Sequence, residues 1–227
     1  VESDGRADSW CRMEAACGTL ARLHAILSAM PPEAFSPPAY SSYATPSQAL
    51  EMLEETDRAF AACASHEAYP QAVAVRDATR GLLRTLETAR RNYDAALPRI
   101  FIHGDFGAGN VLMRGDAVVA VLDFDFMAYR ERGFDVAYTA FWTLYRCSPA
   151  AKTGAPAPDD VAHVANLLRS YQAEGSIPLT EREVRALPFE MARIPTYYVA
   201  EAGYLGGEAY TAGPVGQTLA FAPHLSL

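Results

Sequence analysis

Three residues in the middle of the chain have the types and spacing to serve one reaction. They lie in H-G-D-F-G-A-G-N-V-L, which runs from His103 and contains Asp105 and Asn110, and in V-L-D-F-D-F, where Asp123 follows Asn110 by thirteen residues. Phosphoryl transfer asks a protein for little covalent chemistry. It needs one carboxylate to orient the attacking hydroxyl and take its proton, and oxygen ligands to hold magnesium on the nucleotide phosphates. Magnesium prefers hard oxygen donors and keeps much of its coordination for water and phosphate, so one amide oxygen and one carboxylate are a fitting protein contribution. Alone, each piece has a plainer reading. An aspartate beside glycine is often a turn former, and Asp123 would suit a helix cap if Phe124-Asp125-Phe126 did not continue the run instead of starting a helix.

The elements that must position these residues form one small β-rich stretch in an otherwise helical pattern, so the fold class expected is α+β, mostly helical. Met13, Ala16, Leu20, Leu23 and Leu27 recur at helical spacing, predicting a helix from Trp10 to Leu27 that Pro31-Pro32 stops. A second helix opens at Thr45-Pro46-Ser47-Gln48, a capping box with proline in the first turn, and continues to about Ala64. A third covers about Gln71 to Ala96, with Gly81 inside it. Arg99 to Ile102 is β-prone. Val111 to Met113 and Ala117 to Leu122 read as strands of a hairpin turning through Arg114-Gly115-Asp116. Antiparallel pairing of that hairpin returns Asn110 and Asp123 to the same end. Asp135 begins a further helix to about Tyr145, doubling as its N-cap. Ser148 to Pro158, with three prolines, reads as a linker or exposed loop; helices follow at Asp159–Glu174, from a capping box at Thr180-x-x-Glu183, and from Phe189 to Leu205.

Composition excludes several classes. The chain has 227 residues, half of them hydrophobic, and a formal charge of −8, the wrong sign for nucleic-acid binding. No apolar run approaches the ~20 residues of a membrane span, and the polar stretch Val1 to Asp8 is no signal peptide. Cys11, Cys17, Cys63 and Cys147 are scattered without a C-x-x-C pair, which fits ordinary thiols in a reducing cytoplasm better than zinc or a disulfide framework. His24, His66, His163 and His224 share no metal-ligand spacing. Phe141, Trp142 and Tyr145 fall on helical spacing and read as core, as do Tyr197 and Tyr198, while Glu51, Glu54, Glu55 and Asp57 read as a solvated helix face.

Taken together, the motifs resemble the aminoglycoside phosphotransferase and choline kinase superfamily. His103-Gly104-Asp105 with Asn110 looks like its catalytic loop, the counterpart of H-R-D-x-x-x-x-N in protein kinases. Asp123-Phe124-Asp125 resembles the D-F-G segment, Arg132-Gly133-Phe134-Asp135-Val136-Ala137 the R-x-x-D-[LI]-A element, and Leu20-Ala21-Arg22-Leu23-His24 the L-A-x-L-H helix that precedes the family's helical insertion. The resemblance covers about Trp10 to Tyr145. It implies that residues 1–227 form the C-terminal lobe of a protein kinase-like fold, with a helical insertion at about 31–97 and C-terminal helices at about 159–227. It also implies ATP-dependent phosphorylation of a small hydroxylated acceptor: an aminoglycoside-like antibiotic, choline or another amino alcohol, homoserine or a sugar. Asp105 becomes the catalytic base, and Asn110 and Asp123 become the Mg2+ and nucleotide-binding residues. His103, Arg132 and Asp135 become structural supports of the site. Asp125 is a further metal candidate, because choline and homoserine kinases often carry a second acid there whereas many antibiotic kinases do not.

Such an enzyme also needs a glycine-rich turn over the phosphates and a strand lysine. Before His103 the glycines are Gly5, Gly18 and Gly81 and there is no lysine; the single lysine is Lys152. The N-terminal lobe is thus absent from this sequence, which starts without Met and reads as a piece of a longer enzyme, inactive by itself. The alternative is a non-catalytic kinase-like binding module. A third reading, a metal-dependent hydrolase using His103, Asp105 and Asp123, lacks the further ligands such sites recruit.

Overall fold

Ser9 starts the first helix. Its backbone is extended and its hydroxyl accepts a hydrogen bond from the Arg12 N–H, an N-cap that leaves α1 running over Trp10–Leu27. The computed structural model describes residues 5–6, 9–34, 44–93, 97–154, 156–203 and 213–226. The elements after α1 are α2 (Pro46–Ala61), α3 (Tyr69–Tyr93), β2 (Arg99–Ile102), β3 (Val111–Arg114), β4 (Ala117–Val121), β5 (Ala128–Glu131), α4 (Arg132–Cys147), α5 (Pro158–Glu174), α6 (Glu181–Glu201) and α7 (Gly213–Phe221); a two-residue β1 (Gly5–Arg6) precedes α1. The fold is mostly helical with small antiparallel sheets. No helix among the described residues is long and apolar enough to cross a membrane.

Two compact units divide the chain. The first comprises residues 1–42, 95–151 and 156–191; the second comprises 43–94, 152–155 and 192–227. In the first unit α1 packs on α5 and α4, burying Met13, Ala16, Leu20 and Leu27 on one face. Strands β3 and β4 form the expected hairpin, turning at Gly115 with φ +57°, and β1 extends it by pairing with β3. The sequence pattern contains no strand before α1 and none at 128–131. Yet β5 pairs antiparallel with β2, Ile102 opposite Ala128 and Arg99 opposite Glu131, so both ends of the segment from His103 to Met127 are fastened together.

In the second unit the capping box at Thr45 forms as expected: Thr45 Oγ1 accepts from the Gln48 N–H at 3.2 Å and Gln48 Oε1 accepts from the Thr45 N–H at 2.9 Å. Leu53, Leu83, Tyr197, Val199 and Ala200 make its core, so Tyr197 packs as read. Asp57 leaves the solvated face expected for it, pairing with Arg76 at 3.0 Å and Arg80 at 2.6 Å across α2 and α3. Gly81 does not interrupt α3; the expected end of that helix at 94–96, and the expected end of the last one at 204–205, lie outside the described residues.

Three boundaries differ for reasons of tertiary contact. The stretch after α4 is no exposed linker. Ser148 and Ala151 are buried, and the Asp160 carboxylate accepts from Ser148 Oγ at 2.6 Å and from the Ala157 N–H at 2.7 Å. One helix, α6, replaces the two expected after Thr180, running through Pro188 and Pro195. Each proline removes one helical donor, but burial of Ala186, Leu187, Ile194 and Val199 along the helix outweighs that loss. Helix α4 starts at Arg132 with Glu131 as N-cap, three residues before the expected start, so Asp135 is not the cap.

No disulfide joins the cysteines, and two of the thiols differ sharply. Cys11 is exposed, whereas Cys17 is buried and its pKa is pushed up to about 12, first by burial and then by the neighbouring charge of Glu14. Because the thiolate is the reactive form, a disulfide reagent at neutral pH is expected to modify Cys11 in the native protein and Cys17 only after unfolding. Comparable rates at both positions would contradict the packing of α1 on α5.

Candidate active site

The site is built on a short loop between β2 and the β3–β4 hairpin, and a buried carboxylate holds that loop. Asp135, in the first turn of α4, is fully buried. Its Oδ2 accepts from the His103 N–H at 2.7 Å and its Oδ1 from the Gly104 N–H at 2.8 Å. A buried charge is tolerated only when its lone pairs are satisfied, and these two charge-assisted bonds fix successive backbone amides. A third donor is His24 Nε2, 3.1 Å from Asp135 Oδ2, while His24 Nδ1 lies 2.7 Å from Tyr171 Oη. Burial raises the Tyr171 pKa, against the pull of Arg132. The carboxylate can only accept from Nε2, and Nδ1 pairs with the Tyr171 hydroxyl.

Glycine is required at 104. Its φ is +83°, and a Cβ there would sit 2.3 Å from the Phe126 carbonyl oxygen. His103 then ties the loop to the hairpin. Its Nδ1 accepts from the Asp105 N–H at 3.2 Å, so Nε2 carries the proton and donates to the Leu122 carbonyl at 2.9 Å. The ring sits against Phe106 and Phe124 at centroid distances of 5.6 and 4.7 Å. Both ring nitrogens are thus engaged, one by the Asp105 N–H and the other by the Leu122 carbonyl.

Asp105 is half-buried, and each of its carboxylate oxygens is held. Tyr138 Oη donates to Oδ1 at 2.5 Å and Asn110 Nδ2 donates to Oδ2 at 2.8 Å; Nδ2 also lies 2.9 Å from the Asp105 carbonyl. Thr139 Oγ1, one residue beyond Tyr138 on α4, reaches the Phe106 carbonyl at 2.8 Å. The Leu122 N–H donates to the Asn110 carbonyl at 2.8 Å, and Val111 faces Val121 in the ladder, which brings Asp123 to the same end of the hairpin as Asn110. Asp123 is exposed with φ +62°, the one positive-φ residue other than glycine among those described. Backbone held in that region costs about 1–3 kcal/mol and tends to persist where function requires it. Asp125 is also exposed, in the turn that the Met127 N–H closes on the Phe124 carbonyl at 3.0 Å.

Arg132, expected as a structural support of the site, is buried at the start of α4. Its guanidinium forks onto Glu183 at 2.8 and 2.7 Å and donates to the carbonyls of Ile177 and Pro178 at 2.7 and 3.0 Å. It therefore locks the start of α4 to the start of α6 and to the chain just before it. Glu183 also closes the expected capping box with Thr180.

The structure places Asp105 and Asn110 on the loop after β2, His103 at its start, Asp123 beyond the end of β4 and Asp135 in the first turn of α4. Sequence reasoning missed His24, Tyr171 and Tyr138. His24 carried a signal, since it ends the Leu20–His24 motif on the buried face of α1; Tyr138 is one turn after Asp135 on the same helix face. Among the described residues, no three His, Cys, Asp or Glu side chains gather closely enough to hold a metal.

Residues 11–182 match the model of the phosphotransferase enzyme family. No curated protein matches the sequence. Among solved structures, the chain is similar to an aminoglycoside phosphotransferase from Alicyclobacillus acidocaldarius (TM-score 0.67, 16% identity, covering 99% of this chain and 67% of that one). It is also similar to an ethanolamine kinase from Plasmodium vivax (TM-score 0.66, 12% identity, 100% and 63%). An amicoumacin kinase solved with AMP-PNP, Ca2+ and its antibiotic gives a TM-score of 0.59 at 14% identity, covering 99% and 63%. The chain thus spans about two thirds of the length of these structures, whose low identities establish the fold alone.

Proposed function

The chain belongs to the phosphotransferase enzyme family, and from that premise we propose that the protein transfers the γ-phosphoryl group of ATP to a hydroxyl of a small molecule. Asp105 is the proton acceptor, and Asn110 and Asp123 hold magnesium. The observation that carries this reading is the bond from Asn110 Nδ2 to Asp105 Oδ2 at 2.8 Å. It couples the base to the metal residue and commits the amide nitrogen, so the amide oxygen is the atom left for a hard cation. The donor set fits magnesium, being one neutral and one charged oxygen, with the remaining positions open to water and phosphate.

When bound, magnesium neutralises charge on the nucleotide phosphates. The residues of this chain handle the acceptor proton and hold the loop. Asp105, with one lone pair on each oxygen still available, accepts the proton of the acceptor hydroxyl as that oxygen attacks the γ-phosphorus and the bond to the ADP oxygen breaks. Asp135 and His24 keep the loop backbone from shifting during that step, which matters because positioning supplies most of the catalysis in this reaction. The acceptor class is a small hydroxyl compound: an aminoglycoside-like antibiotic, an amino alcohol, homoserine or a sugar.

The test is a panel of aminoglycosides, amino alcohols, homoserine and sugars offered to the full-length protein with ATP and magnesium. Acceptor-dependent ADP release is expected; ATP binding without transfer to any compound would favour the non-catalytic module. A second expectation concerns the metal. Asn110→Ala and Asp123→Ala are expected to raise the magnesium concentration needed for nucleotide binding, Asp123→Ala more so, because a carboxylate gives the ion a full charge and an amide only a dipole. Magnesium titrations superimposable on wild type would remove both residues from the metal site.

A further inference from the structure

We propose that Tyr138 is a positioning residue for the proton acceptor, an inference that rests on the phosphotransferase reading of Asp105. Its phenol donates to Asp105 Oδ1 at 2.5 Å, while Asn110 takes Oδ2. A carboxylate on a two-bond side chain rotates about its terminal torsion unless both oxygens are held. With one donor on each oxygen, the plane of the group is fixed and the remaining lone pairs point in defined directions.

The phenol is itself held firmly. Tyr138 is 6% exposed, and its ring packs against Phe134 and Trp142, at centroid distances of 5.8 and 6.1 Å, on the same face of α4. Asp135 stands one turn earlier and grips the His103 and Gly104 amides. One helix therefore holds the catalytic loop twice: Asp135 fixes its backbone and Tyr138 fixes the reacting side chain. A rotation or slide of α4 would move both grips together. The neighbouring Thr139, bonded to the Phe106 carbonyl, adds a third hold from the same turn. Charge-assisted bonds of this length are the strong ones.

The experiment is steady-state kinetics of Tyr138→Phe in the full-length protein, with whichever acceptor of the panel the wild type phosphorylates. Phenylalanine keeps the ring and its packing, so the thermal midpoint is expected to stay near wild type. The kcat is expected to fall about 10- to 100-fold, as for loss of an orienting partner of a reacting group, with KM for ATP and acceptor within about twofold. A second readout does not depend on activity. The hydroxyl proton in the Tyr138–Asp105 bond is expected as a downfield proton resonance that disappears in Tyr138→Phe and shifts in Asp105→Asn. An unchanged kcat, or a loss confined to KM, would overturn the proposal while leaving the phosphotransferase reading intact. A wild type that transfers phosphate to nothing in the panel would count against that reading, and the absence of the resonance would then overturn the Tyr138 proposal as well.

Discussion

Asp105→Asn in the full-length protein is expected to lower kcat about 10²–10⁴-fold, the usual effect of losing a positioned base, while nucleotide affinity and fold stay near wild type. The amide is the same size as the carboxylate and keeps one oxygen to accept from Tyr138 or from Asn110 Nδ2. It has no charge and no capacity to take the hydroxyl proton. The loop itself does not rest on this side chain, since its backbone is held by Asp135 and by His103. The effect should therefore appear in kcat and not in KM for ATP. Equal turnover by the variant, measured as ADP release with a cognate acceptor, would remove Asp105 from the chemistry.

The second large effect is on stability. Asp135→Ala is expected to cost about 3–5 kcal/mol, the range for deleting one partner of a buried charged group. The two amides of His103 and Gly104 and the His24 imidazole all lose their acceptor in a buried setting, and each unsatisfied donor costs ~1–3 kcal/mol. Against a typical total of ~5–15 kcal/mol for a folded domain, that loss is large enough to see directly. Urea denaturation of the wild type and the variant measures it; a shift under ~0.5 kcal/mol would mean that the loop is held by other contacts. Asp135→Asn, which keeps one acceptor oxygen, should fall between the two.

Local signals made part of this arrangement legible in the sequence. Helix α1 could be read to its ends because Met13, Ala16, Leu20, Leu23 and Leu27 recur at helical spacing and Pro31-Pro32 follows, and the β3–β4 hairpin because Gly115 supplies the turn's positive φ. Asp105 and Asn110 are five residues apart on one loop, so their meeting is a local event. The partners that were missed are remote. His24 meets Asp135 across 111 residues, and Arg132 meets Glu183 across 51. Strand β5 has no alternating pattern of its own and exists because β2 offers it an edge. The same holds for α6, whose prolines argue locally for a break that its buried face overrides. Residues 43–94 and 192–227 join in one unit through contacts between segments far apart in the chain, which periodicity does not reveal.

The most direct test of the account is a single-turnover measurement. Full-length protein, loaded with ATP and magnesium below one equivalent, is mixed rapidly with the acceptor, and phosphorylated product is followed with time for the wild type and Asp105→Asn. Product release drops out of such an experiment, so the observed rate reports the chemical step. If Asp105 takes the hydroxyl proton, the single-turnover rate of the variant falls at least as far as its kcat, with nucleotide binding unchanged. A variant that forms product in one turnover at the wild-type rate would contradict the assignment of Asp105 as the base.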